Sequence, residues 1–512
     1  MSLLGVEVDS RRCLVAAYAA DGTRLAQAAR GYRPEVRASA AIEIDVPEVW
    51  QAVSEAARQV TAQCEADPVT AVAVCGTGDG IVALDAQGTP LGPCLLGVAD
   101  DTALGHEAEQ RLGVQRYFEI TGRLAGRGDA LGLLCWLRRE RPQILQRAWR
   151  VAPLGVVIGA LLGGSAVCDY TQAGRAFPLA VMQRTWSREL AEACGLPRRM
   201  LPELMPAGTP IGAPTARAMQ DWGLPRGARL VLGGDEGACR ALGAGVVQAG
   251  QALYELGATL RLSPAFQAIP LTALMLSQGL GIAHHVVPGL FLSEWEGAYG
   301  ERTLRWYRDN LAPLEKREAQ RGGVGVYDLL ISEMPDEPTD LLALPEVSLG
   351  NPVADGEPQA ALLGVTHATS RGEIIRAILE GLTYRVAEAL ARCERAGLGV
   401  EVLRAVGGGA ASERWLALTA DVLGLPIERP QVADTGPLGA ALLAGVGTGL
   451  YPSAEAAVEA AVHVSLHLEP DAERHAAYVE RAELAEALRA ALQDAAGTAA
   501  AEQTLRSVMQ SR

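Results

Sequence analysis

One pattern occurs twice in this chain, and it restricts the fold more than any other feature. Leu3 to Val8 is a short apolar run, Asp9-Ser10-Arg11-Arg12 is polar, and Cys13 to Tyr18 is apolar again. Near the middle, Ala252 to Leu256 leads into Gly257-Ala258-Thr259 and then Leu260-Arg261-Leu262. Apolar runs of strand length on either side of a tight polar or glycine turn read as β-hairpins. After the first, Ala20-Asp21-Gly22 turns the chain toward a further strand. A helix is then predicted over 46–66, with Val49, Ala52, Val53, Ala56, Ala57 and Val60 on one face. A buried strand, Val69 to Val74, closes at Gly76-Thr77-Gly78-Asp79-Gly80. Just before the second hairpin, the strand ARLVLGG ends at Asp235, and a helix is expected through Gly243. A hairpin opening repeated within α/β sequence predicts a duplicated α/β domain, with a boundary near Gly245 to Gly250. The 512 residues are too many for one hydrophobic core, which agrees with two domains. The expected division is 1–246 and 247–490, with a helical tail over 491–512.

Further along, helix is predicted from Ser370 to Ala396 and from Trp415 to Leu423. Arg404-Ala405-Val406 reads as a strand ending in Gly407-Gly408-Gly409. From Ala472 onward the sequence is rich in Ala, Glu and Arg and reads as helix, with the last turns fraying.

Composition removes several classes of function. A net charge of −15 with scattered Lys and Arg argues against nucleic acid, which needs a basic face. The nine cysteines are odd in number and contain no CxxC pair, so reduced core cysteines are expected. His463 and His467 lie on an alternating, strand-like segment that keeps them apart, so they do not read as a metal pair. The start of the chain has no basic leader followed by a long apolar stretch. Val151 to Cys168 carries no charge, yet Pro153, Gly155, Gly159, Gly163 and Gly164 suit a buried helix better than a membrane span. A cytoplasmic protein is expected.

Four segments carry candidate chemistry. Asp235 sits at a strand's carboxyl end in a glycine-flanked turn, placed to accept a proton from a hydroxyl. Alone it is also consistent with a solvated turn aspartate. Gly407-Gly408-Gly409 lets a flat ligand approach the backbone, although neither GxxxxGK[ST] nor GxGxxG is present. The two hairpin turns can direct backbone N–H groups at phosphate oxygens, with Ser10, Thr259 and nearby arginines assisting. The loop from Gly76 to Asp79 can hydrogen-bond sugar hydroxyls, or serve only as a turn.

Taken together these segments resemble the FGGY family of carbohydrate kinases. The resemblance is carried by four stretches, in order and at the family's spacing. They are GGDEGACRALGAGVVQAGQALYELGATL from Gly233, the run from Ala360 to Glu380, AVGGGAASERWLALTADVLGLPIERP from Ala405, and DTGPLGAALLAGVGTGLY from Asp434. It implies an α/β fold of two domains, the actin-like (ribonuclease H-like) ATPase fold with a duplicated core and an interdomain cleft. It implies ATP and Mg²⁺ as cofactors, and γ-phosphoryl transfer to a small sugar or polyol. Asp235 would be the base. Thr77, Gly78, Asp79 and Glu236 would meet the substrate. Ser10, Arg11, Arg12, Gly257, Ala258, Thr259, Gly408, Gly409, Ala410 and Ser412 would hold the nucleotide, and Glu7 the metal. Neither nucleic acid nor membrane is implied as a partner, and a homodimer is left open.

The chain departs from the family pattern at several points. Glu7 stands where aspartate is usual, and Asp9 replaces a glycine, putting a carboxylate beside the phosphates unless Mg²⁺ or an arginine compensates. Ala258 replaces a hydroxyl residue, and Glu236 an asparagine or alanine. The tryptophan and arginine usual after the sugar loop have no match near Leu96 to Asp101. Two functions stay open. One is an active kinase, with a ketopentose or C4–C5 polyol favoured by the glycine-aspartate-glycine loop. The other is a catalytically weak member acting as a sensor or partner.

Overall fold

The computed structural model describes residues 2–37, 40–98, 107–124, 130–267, 273–297, 300–323, 325–347 and 359–510. They form two compact units. The first comprises Met1–Leu253, Ser263–Glu294 and Pro430–Val464; the second comprises Tyr254–Leu262, Trp295–Arg429 and Ser465–Arg512. The chain first leaves unit one at 253/254, and 263–294 and 430–464 return to it.

The first unit is built on a six-stranded sheet in the order Pro210–Gly212, Arg229–Asp235, Val69–Gly76, Ser2–Val8, Arg12–Tyr18, Arg24–Gly31. The predicted hairpin and third strand are present, with Val6 opposite Val15 and Leu14 opposite Ala29. Three strands run parallel at the centre, and their register sets Val8 beside Gly76 and Gly76 beside Asp235. Those central strands are buried almost throughout, which explains their continuous apolar runs. Helix Val46–Ala62 covers the sheet with Val49, Ala52, Val53, Ala56, Ala57 and Val60 all buried, as its periodicity predicts. A second, five-stranded sheet joins Glu35–Val36, Ala41–Ile44, Cys94–Val98, Ile81–Leu84 and Arg150–Pro153.

Helix Thr435–Gly447 packs backbone to backbone against the six-stranded sheet and against helix Glu236–Gly243. A Cβ on Gly5 would overlap the Pro437 carbonyl, and one on Gly439 would overlap the Cys239 carbonyl. Glycine at these positions lets backbone meet backbone, and this explains the small residues of TGPLGAALLAGVG.

The uncharged run from Val151 to Cys168 is not one helix, as expected, but strand Arg150–Pro153, helix Leu154–Leu162 and strand Val167–Cys168. Gly163, at φ +117°, ends the helix. No described helix is long and apolar enough to cross a membrane. All nine cysteines are buried and unbridged.

In the second unit, helix Arg371–Arg395 begins in a capping box between Ser370 and Glu373. Its buried Arg376 bonds Glu380 at 2.8 Å and the Tyr478 hydroxyl at 2.7 Å. The Ala360–Glu380 stretch thus contributes a buried ion pair to this unit. Strand Val402–Val406 pairs in parallel with Ile427–Pro430, Leu403 opposite Ile427, and helix Glu413–Leu423 lies between them in sequence. The tail is helical over Ala472–Gln510.

Candidate active site

In open parallel sheets, ligands bind beyond the carboxyl ends of the strands. Here the ends at Val8, Gly76 and Asp235 are in register, so the turn at Asp9, the loop Thr77–Gly80 and Asp235 meet along one edge. Three segments far apart in sequence are brought together by strand pairing alone.

Asp235 is buried and caps helix Glu236–Gly243. Its Oδ1 accepts from the Gly237 amide at 3.0 Å and from Arg175 at 3.1 Å. Its Oδ2 accepts from the Gly78 amide at 3.2 Å. Its own N–H donates to the Thr171 hydroxyl at 2.6 Å. That hydroxyl donates in turn to buried Asp169 at 2.5 Å, and Asp169 also accepts from Gln172 Nε2 at 3.0 Å. Burial pushes the Asp169 carboxyl up to about 6, although its hydrogen bonds pull the other way.

Arg175 also donates to Glu294, at 2.6 Å to Oε2 and through Nη2 to Oε1. Burial raises the Glu294 carboxyl, and Arg175 pulls it down. Arg175 itself is held firmly protonated: burial opposes its charge, but Asp235, Glu294 and Asp79 outweigh it. Arg175 and Glu294 were not singled out from the sequence. The only local hint was the stretch DYTQAGR, which opens with the helix N-cap Asp169.

The loop Thr77–Gly80 follows strand Val69–Gly76 directly. Thr77 is buried, its amide bonded to the Val8 carbonyl at 3.0 Å. Gly78 touches Asp235, and Asp79 is exposed. The stretch from Leu96 to Asp101 lies partly outside the described residues.

The first hairpin is more occupied than a free phosphate loop. Asp9 Oδ1 accepts from the amides of Arg11 at 2.6 Å and Arg12 at 2.8 Å, and Oδ2 lies 3.5 Å from the Arg12 guanidinium. The compensation expected of the two arginines is supplied mainly by their backbone, with the Arg12 side chain adding charge. Ser10 is in the same turn.

Glu7, expected to hold the metal, is engaged by Arg240 at 2.9 Å. Glu236 also faces Arg240, 3.4 Å away, and its Oε2 is buried without a hydrogen bond. Burial drives the Glu236 carboxyl up, Arg240 lowers it, and Glu7 and Asp235 raise it further. Among the described residues no group of three or more His, Cys, Asp or Glu is placed to hold a metal by itself.

In the second unit, Gly257-Ala258-Thr259 forms the turn between strands Gln251–Leu256 and Leu260–Gln267. Gly407 takes φ +92°, and a Cβ on Gly408 would meet nothing within 4 Å, so that backbone lies open. A Cβ on Gly409 would press 2.6 Å from Trp415. Ala410 is buried beneath, and Ser412 caps helix Glu413–Leu423 by accepting from the Trp415 amide at 3.3 Å. Arg429 donates to the carbonyls of Ala410 and Ala411, fixing the turn from one side. This unit also contains a cavity of about 620 Å³ among helices Arg371–Arg395, Glu413–Leu423 and Ala472–Gln510, and none of the candidate residues lines it.

A carboxylate at the end of a parallel strand, braced by an arginine and facing a glycine loop, is placed to accept a proton from a hydroxyl group. The N-terminal domain of the FGGY family of carbohydrate kinases matches residues 8–243, and its C-terminal domain matches 272–448. The chain belongs to this family and has its actin-like ATPase fold. It is 30% identical over 457 residues to an autoinducer-2 kinase of Yersinia pseudotuberculosis serotype O:3, covering 87% of this chain and 85% of that one. Among solved structures it is similar to a xylulose kinase from Rhodospirillum rubrum, with TM-score 0.84, 23% identity and coverage of 97% and 100%. It is also similar to Plasmodium falciparum glycerol kinase with ADP, with TM-score 0.80, 16% identity and coverage of 95% and 97%.

Proposed function

We propose that this carbohydrate kinase transfers the γ-phosphoryl group of ATP to a hydroxyl of a small, uncharged polyol or ketose, with Asp235 as general base. The observation that carries the reading is the bracing of Asp235 by Arg175, Gly237 and Gly78 at the edge where three parallel strands end. Phosphoryl transfer depends on positioning and charge neutralisation more than on covalent chemistry. Thr77, Gly78 and Asp79, on the loop beside Asp235, would hold the substrate. The open backbone at Gly408 suits the flat adenine, with Gly409, Ala410 and Ser412 shaping that turn, while Ser10, Arg11, Arg12 and Gly257-Ala258-Thr259 would line the phosphates. The N-terminal family domain thus takes the sugar, the base and part of the phosphate contact, and the C-terminal one the adenine.

Mg²⁺ bound to ATP usually takes one or two carboxylates besides the phosphates. Glu236 fits that need better than Glu7, because its Oε2 accepts no hydrogen bond and only faces Arg240 at 3.4 Å, whereas Glu7 accepts two hydrogen bonds from that arginine. When bound, the ion would neutralise charge on the transferring phosphate.

The surroundings of the base also limit the substrate. Asp79 adds negative charge, and the Arg175 guanidinium is already shared between Asp235 and Glu294. A sugar acid would meet net repulsion there. The relatives named for autoinducer-2 and the structures named for xylulose point to candidates of the size that the sugar loop suggests.

The test is a coupled ADP-release assay over C4 to C6 polyols, ketoses, sugar acids and autoinducer-2, with Asp235→Ala beside the native chain. Turnover on a neutral substrate that vanishes in Asp235→Ala supports the reading. Turnover retained in Asp235→Ala rejects it. One observation favours the second reading, a sensor with weak phosphate binding: Asp9 already occupies two hairpin amides. Under that reading the panel gives no turnover, and a sugar raises the melting temperature without ATP.

A further inference from the structure

Asp235 has two oxygens, and the structure treats them differently. Oδ1 accepts two hydrogen bonds, from the Gly237 amide and from Arg175. Among the described residues Oδ2 accepts one, from the Gly78 amide. A carboxylate oxygen has two lone-pair sites in the carboxylate plane, so Oδ1 is filled and Oδ2 keeps one site free.

We propose that Arg175 is a positioning residue for the transfer, which fills Oδ1 of Asp235 so that Oδ2 takes the proton from the substrate hydroxyl, and that Glu294 holds Arg175 in place. The proposal rests on Asp235 being the base. In the step, the hydroxyl proton passes to Oδ2 as the substrate oxygen bonds the γ-phosphorus. The bond from that phosphorus to the bridging oxygen breaks, and its electron pair leaves with ADP. The proton on Asp235 is later lost to solvent.

Three features support this division of labour. The guanidinium reaches Glu294 with both terminal nitrogens and Asp235 with one of them, a forked arrangement that lysine has no geometry to copy. Thr171 and Arg175 lie one turn apart on helix Tyr170–Ala176, so one helix face grips both the backbone amide and the carboxylate of Asp235. Gly78 makes the approach possible: a Cβ there would press 2.6 Å from the Arg175 Cβ and 3.1 Å from Asp235 Oδ2. The glycine of the sugar loop therefore makes room for the base and its arginine, besides lying near the substrate.

The experiment measures kcat and the sugar KM of native enzyme, Arg175→Ala, Arg175→Lys, Glu294→Gln and Asp235→Ala, each checked for folding by thermal melting. A base displaced by about 1 Å costs about 10²-fold in rate. Arg175→Ala is expected to lose about that much kcat with its sugar KM changed less than about threefold. Arg175→Lys should recover only part of the loss, and guanidinium ion at low millimolar concentration should raise kcat of Arg175→Ala but not of Asp235→Ala. Glu294→Gln should lower kcat about tenfold at steady KM, since an uncharged partner grips the guanidinium less firmly. A sugar KM raised tenfold or more at unchanged kcat in Arg175→Ala would make Arg175 a substrate ligand and overturn the proposal. So would native kcat in that variant. If Arg175→Ala does not fold, native kcat in Glu294→Gln overturns the proposal on its own. Loss of activity in Asp235→Ala alongside native kcat in Arg175→Ala would reject this proposal and leave the base intact; native activity in Asp235→Ala would reject the base itself.

Discussion

Arg240 donates its Nε to Glu7 Oε1 at 2.9 Å and closes a second bond to the same oxygen through Nη2. Glu236 Oε2 lies 3.4 Å from that same Nη2. One cation thus serves two carboxylates in a largely buried place. Glutamate is tolerated at position 7 because Arg240, one turn along the helix that Asp235 caps, supplies its counter-charge.

Removing that cation leaves two carboxylates facing each other. Arg240→Met is expected to destabilise the first unit by about 3–5 kcal/mol, the cost of breaking a buried pair from one side. Adding Glu7→Gln to that variant should restore part of the loss, because the uncompensated charge is removed with it. Urea unfolding of the three proteins measures both effects; a loss in Arg240→Met below about 1 kcal/mol would show that water screens the pair.

Asp9→Gly frees the amides of Arg11 and Arg12 from the carboxylate that occupies them. It also removes a negative charge from the turn assigned to the phosphates. The KM for Mg-ATP is therefore expected to fall several-fold at saturating sugar. An unchanged or higher KM would mean that the Asp9 carboxylate does not compete with phosphate.

Backbone packing makes a third prediction. Gly5→Ala sets a methyl group against the Pro437 carbonyl, whereas a Cβ on Gly322 meets nothing within 4 Å. Gly5→Ala should cost about 1–3 kcal/mol, as overpacking does. Gly322→Ala, in helix Pro313–Gly322, should be neutral or stabilising by up to about 1 kcal/mol. Melting temperatures of both variants against native protein test the contrast.

Asp169 couples stability to pH. Its folded pKa is raised from 3.8 to about 6 by burial, so the folded state binds the proton more tightly than the unfolded chain. The contribution is fully present below about 3.8 and is lost as pH rises through about 6. The shift corresponds to about 3 kcal/mol at most. Asp169→Asn, which has no proton to bind, should lose this dependence. The stability of native protein relative to Asp169→Asn is therefore expected to decline between pH 4 and pH 7, measured by denaturant unfolding across that range. A constant difference would show that Asp169 titrates alike in both states.

The sequence by itself determined the local elements and the family. The hairpin at Asp9, the helix over Val46–Ala62 and the strand ending at Asp235 are legible because turn chemistry and side-chain periodicity act over a few residues. The glycine-rich runs near residues 233, 407 and 436 are legible for a related reason: close backbone approach excludes other residues. The run from Val151 to Cys168 was misread as one helix because uniform apolarity has no period, and Pro153 and Gly163 decided where its strand and helix end. Only the tertiary structure decided how the base is braced. Arg175 lies 60 residues from Asp235 and 119 from Glu294, and their local sequence does not announce that the three meet. Strand register carries Val8, Gly76 and Asp235 to one edge, and burial turns an arginine between two carboxylates into a fixed clamp. Pairing and desolvation of that kind depend on residues distant in the chain, which is why local pattern does not reveal them.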